Sequence, residues 1–324
     1  MKRPNRILSS VIATGVLGIA SQSALAQTIF SDTFNNGSTV QTTATAPTAN
    51  STSYEWFQQG SAPTTPTIAA NDLHLLANSG TSSLAPLEAV FTTSPITLTV
   101  GQALNLSISF VDTQSIFNGG TDSTLNVGLF NSGGVLPNIG AQLNGTAYTA
   151  GGGSQNWNGY VARIRGAGNS TIYTRAPQGL NGTTSQNQDI LFNAASGTSA
   201  YNNPAGTTVA TSGGQFTSGL TQGNTYTLSY TISMTAPGTI KIDNVLYDSG
   251  NNALISQTGS TSSSPVTTYD AFGFGWRFVN PTAATSAVDV NSITVTLAPI
   301  PEPTTAVLTV TGLGLLCLVR RYRR

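Results

Sequence analysis

The sequence predicts an all-β protein whose main domain is an antiparallel β-sandwich. Hydrophobic and polar residues alternate with a period of two in several segments, turns rich in Gly and Asn separate these segments, and no helical apolar stripe exceeds about two turns. Hydrophobic residues make up 39% of the 324 residues, which favours a folded chain over a disordered one although only 7% are charged.

Two segments show the alternation most clearly. Every second residue is apolar in 104–111, and Tyr, Leu and Ile alternate with Thr and Ser in 225–234. Both patterns are typical of a strand with one buried and one solvated face. Residues 41–66 and 193–219 are rich in small and hydroxyl residues and are predicted to be long surface loops. The other predicted strands are 28–34, 73–76, 125–130, 239–247, 253–258 and 293–297.

The amino terminus predicts a secretory signal peptide. Lys2, Arg3 and Arg6 precede an apolar run at 7–20, which is followed by a polar stretch and the small-residue site 24–26. We expect cleavage between Ala26 and Gln27. An uncleaved membrane anchor is the alternative, and the apolar run is shorter than the usual span of about 20 residues.

The carboxyl terminus predicts a short stop-transfer segment. Pro301, Glu302 and Pro303 precede a mostly apolar stretch at about 304–319, and the chain ends in the arginine-rich segment 320–324. Such a basic end stays on the cytoplasmic side of the membrane during export. A stretch from 304 to 319 has 16 residues, slightly fewer than the roughly 17–25 of a stable span, which suits a helix held only transiently.

This arrangement of tripeptide, apolar helix and basic end resembles the PEP-CTERM sorting signal. The resemblance implies export through the inner membrane of a Gram-negative bacterium that makes extracellular polysaccharide, and processing by an exosortase-type enzyme. A permanent carboxyl-terminal anchor is the alternative. The predicted organisation is therefore a signal peptide at 1–26, a β-sandwich domain at 27–298 and a sorting tail at 299–324.

The order of strands in the last third of the domain resembles a concanavalin-like or laminin-G-like jelly roll. A hairpin at 226–247 leads to the strand at 253–258, then to the aromatic segment 269–276 and the final strand. The opening segment 30–34, paired with that final strand, fits the same fold. The resemblance implies a carbohydrate-binding or adhesive module more often than an enzyme.

The net charge and the scarcity of Cys, His and Glu residues argue against several functions. Residues 27–300 carry five basic and 11 acidic side chains, so their net charge is 5 − 11 = −6, which argues against a nucleic-acid partner. The only cysteine, Cys317, lies in the tail, and the only histidine, His74, cannot build a histidine-cluster metal site. Glu55 and Glu88 each lack a neighbouring acid in sequence, whereas glycoside hydrolysis needs two carboxylates held together. We therefore expect no enzyme, and a hydrolase or lyase is the less favoured alternative.

Calcium is the one cofactor for which the sequence offers candidates. Asp112, Asn118 and Asp122 lie in one loop between two predicted strands, and oxygen ligands from such loops suit Ca²⁺. Their spacing is not that of an EF-hand. Asp and Asn are also ordinary turn-forming residues, so the same residues fit a loop without metal.

A row of aromatic residues allows two interpretations. Phe272, Phe274, Trp276 and Phe278 share one strand face, and Ala271, Gly273, Gly275 and Arg277 share the other. An exposed aromatic row can stack on sugars, but four such residues would form a large apolar patch, so we expect the row to be core. The glycine face then allows close approach of a loop or a ligand.

The segment 160–175 predicts a hairpin with a basic face. If 166–168 is a three-residue loop, Arg163 lies opposite Thr171 and the apolar residues share one face. We expect the other face to be exposed and to bind an anionic polysaccharide in a salt-dependent way, since arginine forks bind carboxylates. A solvated face that neutralises nearby Asp residues is the alternative. The candidate ligand-binding residues are Trp157, Arg163, Arg165, Tyr173 and Arg175.

These observations together predict an exported, non-enzymatic β-sandwich protein sorted to the cell surface or the extracellular polysaccharide matrix. Glycan binding is the most specific activity that the residues suggest. A structural or adhesive matrix protein without a small ligand is the alternative.

Overall fold

The computed structural model describes the β-rich middle of the chain. Its described residues are 25–40, 46–48, 51–56, 66–69, 71–78, 83–114, 116–117, 123–136, 154, 157–175, 191, 206–278 and 285–300. These residues form eighteen strands and no α-helix. The predicted all-β class is confirmed.

The strands follow one another along the chain with short connections in most places. In order they are β1 (Gln27–Asp32), β2 (Thr39–Val40), β3 (Ser53–Trp56), β4 (Thr67–Ala69), β5 (Asp72–Asn78), β6 (Ser83–Val90), β7 (Ile96–Thr97), β8 (Gln102–Asp112), β9 (Thr124–Asn131), β10 (Asn158–Arg165), β11 (Thr171–Arg175), β12 (Gly206–Thr211), β13 (Thr225–Ala236), β14 (Thr239–Asp248), β15 (Ala253–Thr261), β16 (Thr268–Tyr269), β17 (Ala271–Phe278) and β18 (Thr285–Pro299).

Two eight-stranded sheets pack face to face. The first has the order β15-β14-β13-β8-β18-β5-β4, with β1 also paired to β18, and the second has the order β12-β11-β10-β9-β17-β6-β3-β2. Strand β7 pairs with β16 in a small third sheet. The pairings are antiparallel except for that of β2 with β3, so the predicted antiparallel sandwich is confirmed.

The first sheet is built around the long final strand. A bulge between Val290 and Ser292 joins two segments that look separate in the sequence, and it keeps the apolar side chains on either side of it in the core. The first half of β18 pairs with β5, and the second half pairs with β1 as the sequence predicts. The alternation of β8 and β13 places their Leu and Ile residues inside and their Ser and Thr residues outside.

The aromatic row of β17 lies in the core between the two sheets, as predicted. Phe272, Phe274 and Trp276 are fully buried, and the Phe274 ring lies 5.5 Å from that of Phe110 in the first sheet. The Trp276 Nε1 donates a hydrogen bond of 2.9 Å to the Ser286 hydroxyl. The side chain of the fourth member of the row, Phe278, lies outside the described residues.

Some strands lie where the sequence predicts none. Strand β3 falls within the predicted loop 41–66 and β12 within the predicted loop 193–219, so these two loop predictions are partly wrong. Both strands lie near the far edges of the second sheet. Strand β6 was also not predicted, because Pro86 and Glu88 are unfavourable strand residues that interrupt the apolar pattern.

The two predicted targeting segments lie almost entirely outside the described residues. Ala26 is described and precedes β1, which begins at Gln27. The sorting motif Pro301, Glu302 and Pro303 lies outside, and the last described residue, Ile300, donates its backbone N–H to the Gly101 carbonyl over 2.6 Å. No helix within the described part of the chain is long and apolar enough to cross a membrane.

Candidate functional site

The basic hairpin and the glycine face of β17 lie on the same face of the second sheet. Strand β9 separates β10 from β17 and pairs with both. Arg163 pairs with Asn126, which pairs on its other side with Gly275. Because side chains alternate along each strand, one continuous face runs across β11, β10, β9, β17 and β6, opposite the core. We call it the arginine face, and its polar members include Glu88, Thr124, Asn126, Arg163, Arg165, Thr171, Tyr173, Arg175 and Arg277.

The predicted hairpin register is confirmed. Val161 pairs with Tyr173 and Arg163 with Thr171, so the basic residues share one face while Ala162 lies opposite Ile172 on the core face. Glycine is favoured at the turn because Gly168 has a φ of +80° and an added Cβ would lie 2.9 Å from Nη1 of Arg165. The Arg165 guanidinium therefore folds back over its own turn.

Arg277 also belongs to this face, although it lies on β17 and not on the basic hairpin. Thr124 of β9 pairs with Arg165 on one side and with Arg277 on the other. Two strand spacings, roughly 9–10 Å, separate the two arginine backbones. All four arginines of residues 27–300 consequently lie on one face of one sheet.

The expectation that this face is exposed is wrong. Arg163 is 2% exposed, Arg175 is fully buried and Arg277 is 6% exposed, whereas Arg165 remains partly exposed. Each of the four arginines has an interaction partner within the chain. The alternative of a simple solvated strand face is excluded by the same burial. Buried charges are screened by salt much less than surface charges are.

Arg163 and Tyr173 form the best-defined contact of the arginine face. The Arg163 guanidinium carbon lies 5.0 Å from the centre of the Tyr173 ring, a cation–π geometry, and Nη2 donates a hydrogen bond to the tyrosine hydroxyl. Gln257 of the first sheet donates through Nε2 to the Arg163 carbonyl over 3.1 Å. These contacts hold the strand and one guanidinium in a defined position.

One end of the same face is apolar and contains the candidate residue Trp157. This residue is fully buried, its ring lies 6.1 Å from that of Phe130, and its Nε1 donates to the Val135 carbonyl over 2.9 Å. Neither Trp157 nor the 7% exposed Tyr173 offers a free flat surface for sugar stacking, contrary to expectation. The remaining members of this small apolar cluster are Val90, Val161, Leu191 and Ala271.

The structure brings together two glutamates that are isolated in the sequence. Glu55 of β3 pairs directly with Glu88 of β6, so the backbone places side by side two residues that have no neighbouring acid in sequence. Glu88 is fully buried and belongs to the arginine face.

The calcium candidates are described only in part. Asp112 is fully buried, and its Oδ1 accepts a hydrogen bond of 3.1 Å from the Ile116 backbone N–H, which closes the turn after β8. Asn118 and Asp122 lie outside the described residues. Across the described ranges no three His, Cys, Asp or Glu side chains come together as metal ligands would.

Comparisons with known proteins find similar architectures but no family. No family model and no curated protein matches this chain. The Emp47p carbohydrate recognition domain has a TM-score of 0.38 and 10% identity, covering 86% of this chain and 99% of that one. Lectin II from Ulex europaeus has a TM-score of 0.36 and 13% identity, covering 85% and 99%. A protein of unknown function from Shewanella oneidensis has a TM-score of 0.34 and 14% identity, covering 77% and 80%. Similarity at this level is not evidence for a shared ligand.

Proposed function

We propose that this chain is an exported, non-enzymatic β-sandwich protein that binds an acidic glycan through the arginine face. Its place of action is the cell surface or the extracellular polysaccharide matrix of a Gram-negative bacterium. One observation carries the binding proposal: the chain gathers all four arginines of residues 27–300 on one sheet face although those residues have a net charge of −6.

The chemistry of the face suits a polymer that bears carboxylate or sulfate groups. Arginine presents a planar fork that binds such groups through two parallel hydrogen bonds, and charge-assisted bonds of this kind are stronger than neutral ones. Arg165 is the accessible member, because it is partly exposed and lies at the hairpin turn. Burial of the neighbouring arginines makes the positive potential less sensitive to salt than that of a surface patch.

Export and sorting are supported by the sequence at the two ends of the chain. The basic and apolar segments before Gln27 have the form of a signal peptide, and the segment from Pro301 onward has the three-part form of a PEP-CTERM tail. The partners of this proposal are an exosortase-type enzyme, the membrane during transit and the extracellular polysaccharide.

Two other functions compete with glycan binding. A structural or adhesive matrix protein would use the arginines only to hold its own chain together. Cleavage of a polysaccharide is favoured by one observation, the direct pairing of Glu55 with Glu88, because glycosidases place two carboxyl groups on either side of the bond they break.

The test compares two variants that each lose one positive charge. Arg165→Gln removes the accessible arginine of the face, and Lys241→Gln removes the only basic residue of 27–300 that lies outside it. Lys241 forms an exposed ion pair with Asp243 at 2.8 Å, whose loss costs little. Retention on polygalacturonate and on neutral dextran is measured for both variants and the wild type.

We expect Arg165→Gln to bind polygalacturonate about tenfold more weakly or worse, because a hydrogen bond to a charged group contributes about 1.5–3 kcal/mol. Lys241→Gln should bind polygalacturonate as the wild type does, and the three proteins should not differ from one another in their retention on dextran. Equal retention of the two variants would overturn the assignment of the face. A wild type that binds neither polymer supports the structural alternative, and a polymer shortened by the wild type but not by Glu88→Gln supports cleavage.

A further inference from the structure

A small pocket lies at the end of the first sheet, and no described residue of the arginine face lines it. It has a volume of about 260 Å³ and opens where β13 begins, β14 ends and β15 begins. Loop 212–224 forms its other wall. Its lining includes Phe216, Thr221, Asn224, Tyr226, Asp248 and Leu254.

The wall formed by loop 212–224 is held by backbone hydrogen bonds to both sheets. The N–H of Phe216 donates to the Arg165 carbonyl over 2.8 Å, and the N–H of Gly223 donates to the Asp112 carbonyl over 2.7 Å. The Tyr226 hydroxyl accepts a hydrogen bond of 2.7 Å from the Thr221 backbone N–H. The pocket is therefore formed before any ligand arrives, which reduces the entropic cost of binding.

Asp248 supplies a fixed negative charge at the rim of the pocket. Asn252 donates to it from the backbone N–H at 2.9 Å and from Nδ2 at 3.1 and 3.0 Å. The side-chain bonds from Asn252 are the main reason that the pKa of Asp248 lies below its ordinary value, so the group is a carboxylate at neutral pH. Thr221 and Asn224 are exposed and add a hydroxyl and an amide to the same rim.

Three of the lining residues give the pocket an apolar part. Phe216 and Tyr226 are each only 4% exposed and line its buried side. Leu254 is 37% exposed at the rim and is one of four large hydrophobic residues that stand out as exposed among the described residues. A ligand that covers Leu254 removes its side chain from water, which favours binding.

We propose that this pocket binds one neutral sugar residue, with one hydroxyl donating to Oδ2 of Asp248 and a C–H face of the ring packing on Leu254. Pockets for drug-sized ligands have volumes of roughly 300–1,000 Å³, so about 260 Å³ suits a single ring. The carboxylate disfavours an acidic sugar. A cation fits less well, because Asp248 is the only carboxylate among the described residues that line the pocket, whereas Ca²⁺ takes about six to eight oxygen ligands.

This inference extends the proposed glycan binding to a second site that uses no side chain of the arginine face. The test is ligand-observed NMR of the full chain with glucose, galactose, mannose and glucuronate. We expect at least one neutral hexose to bind and glucuronate not to bind. Asp248→Asn should weaken that binding about tenfold or more, since it removes the charge but keeps an oxygen for Asn252. Leu254→Ala should weaken it to a smaller extent.

Asp243→Asn is the matched control, because Asp243 lies on the same strand but outside the pocket. It should bind the hexose as the wild type does. The proposal is overturned if no neutral hexose binds the wild type, or if Asp248→Asn and Asp243→Asn bind equally. The polygalacturonate experiment tests other residues with another ligand. A negative result at one site can therefore be distinguished from a negative result at the other.

Discussion

Asp32 shows how a single buried charge can be stabilised in this fold. Its carboxylate is fully buried and accepts hydrogen bonds from the Phe34 N–H at 2.7 Å, the Ser38 hydroxyl at 2.5 Å and the Tyr54 hydroxyl at 2.6 Å. Phe34 has a φ of +60°, a strained value for a residue other than glycine, and the bond to Asp32 helps to hold it there. Since Asp32 ends β1 and Tyr54 lies in β3, this one side chain joins the two sheets.

The aromatic row makes a prediction at the same scale. Phe274→Ala and Trp276→Ala should each lower the free energy of unfolding by about 3–5 kcal/mol, through lost transfer energy and the cavity left behind. Trp276→Ala also leaves the Ser286 hydroxyl without its bond from Nε1. Urea unfolding measures both, with Val245→Ala on the outer face of the first sheet as the control. Unchanged stability combined with lost retention on glycans would instead make the row a sugar-binding platform.

At the scale of elements, local pairings could be predicted and distant ones could not. The β10–β11 register follows from the sequence because only one loop length puts Ala162 and Ile172 on one face. The position of β9 between β10 and β17 depends on residues far apart in the chain, and no local pattern encodes it. For that reason the sequence indicates the basic hairpin and the glycine face only as separate features, and nothing in it places Arg277 near Arg165.

The outer face of the first sheet explains how a chain with few charges keeps a broad strand surface in water. Ser, Thr and Asn occupy most of its outward positions on the neighbouring strands β13, β8 and β18. Asn105 donates to the Ser229 hydroxyl at 2.9 Å and to the Thr231 hydroxyl at 2.7 Å across the strands. Cross-strand bonds of this kind stabilise the sheet without like-charge repulsion.

At the scale of the whole molecule, the hydrophobic pattern predicts the class of fold. It does not predict whether a given sheet face is exposed to water or buried by other parts of the chain. Alternation identifies the two sides of β10, and it cannot tell whether the polar side meets water or protein. No local sequence pattern therefore predicts the burial of Arg163 and Trp157. The pairing of β1 with β18, in contrast, is predicted by the resemblance to jelly rolls.

Processing at both ends is a prediction about the whole chain. Mass spectrometry of the protein recovered from the surface of producing cells should find an amino terminus at Gln27 and loss of the segment after about Pro301. Replacing Pro301, Glu302 and Pro303 by alanine should leave the tail uncut. An intact Arg324 in the mature surface protein would contradict the sorting proposal and indicate a permanent tail anchor.

The buried tyrosines should make the stability of the fold depend on pH in the alkaline range. Tyr54, Tyr230 and Tyr269 are buried, and burial is the main cause that holds the pKa of each well above its ordinary value. In the unfolded chain these groups ionise near pH 10, so the unfolded state loses protons that the folded state keeps. Their contribution to stability is therefore complete below about pH 10 and is lost as the pH rises towards the folded-state values. Above pH 10 each tyrosine lowers the free energy of unfolding by about 1.4 kcal/mol per pH unit, so the three together lower it by about 4 kcal/mol at pH 11. This is a large part of a usual free energy of unfolding of roughly 5–15 kcal/mol. We expect the Tm to fall steeply between pH 10 and 11. In Tyr230→Phe the fall should be less steep, because unfolding then releases about one proton fewer. Tm values that agree at pH 8 and pH 11 would show that these tyrosines are not buried as the structure has them.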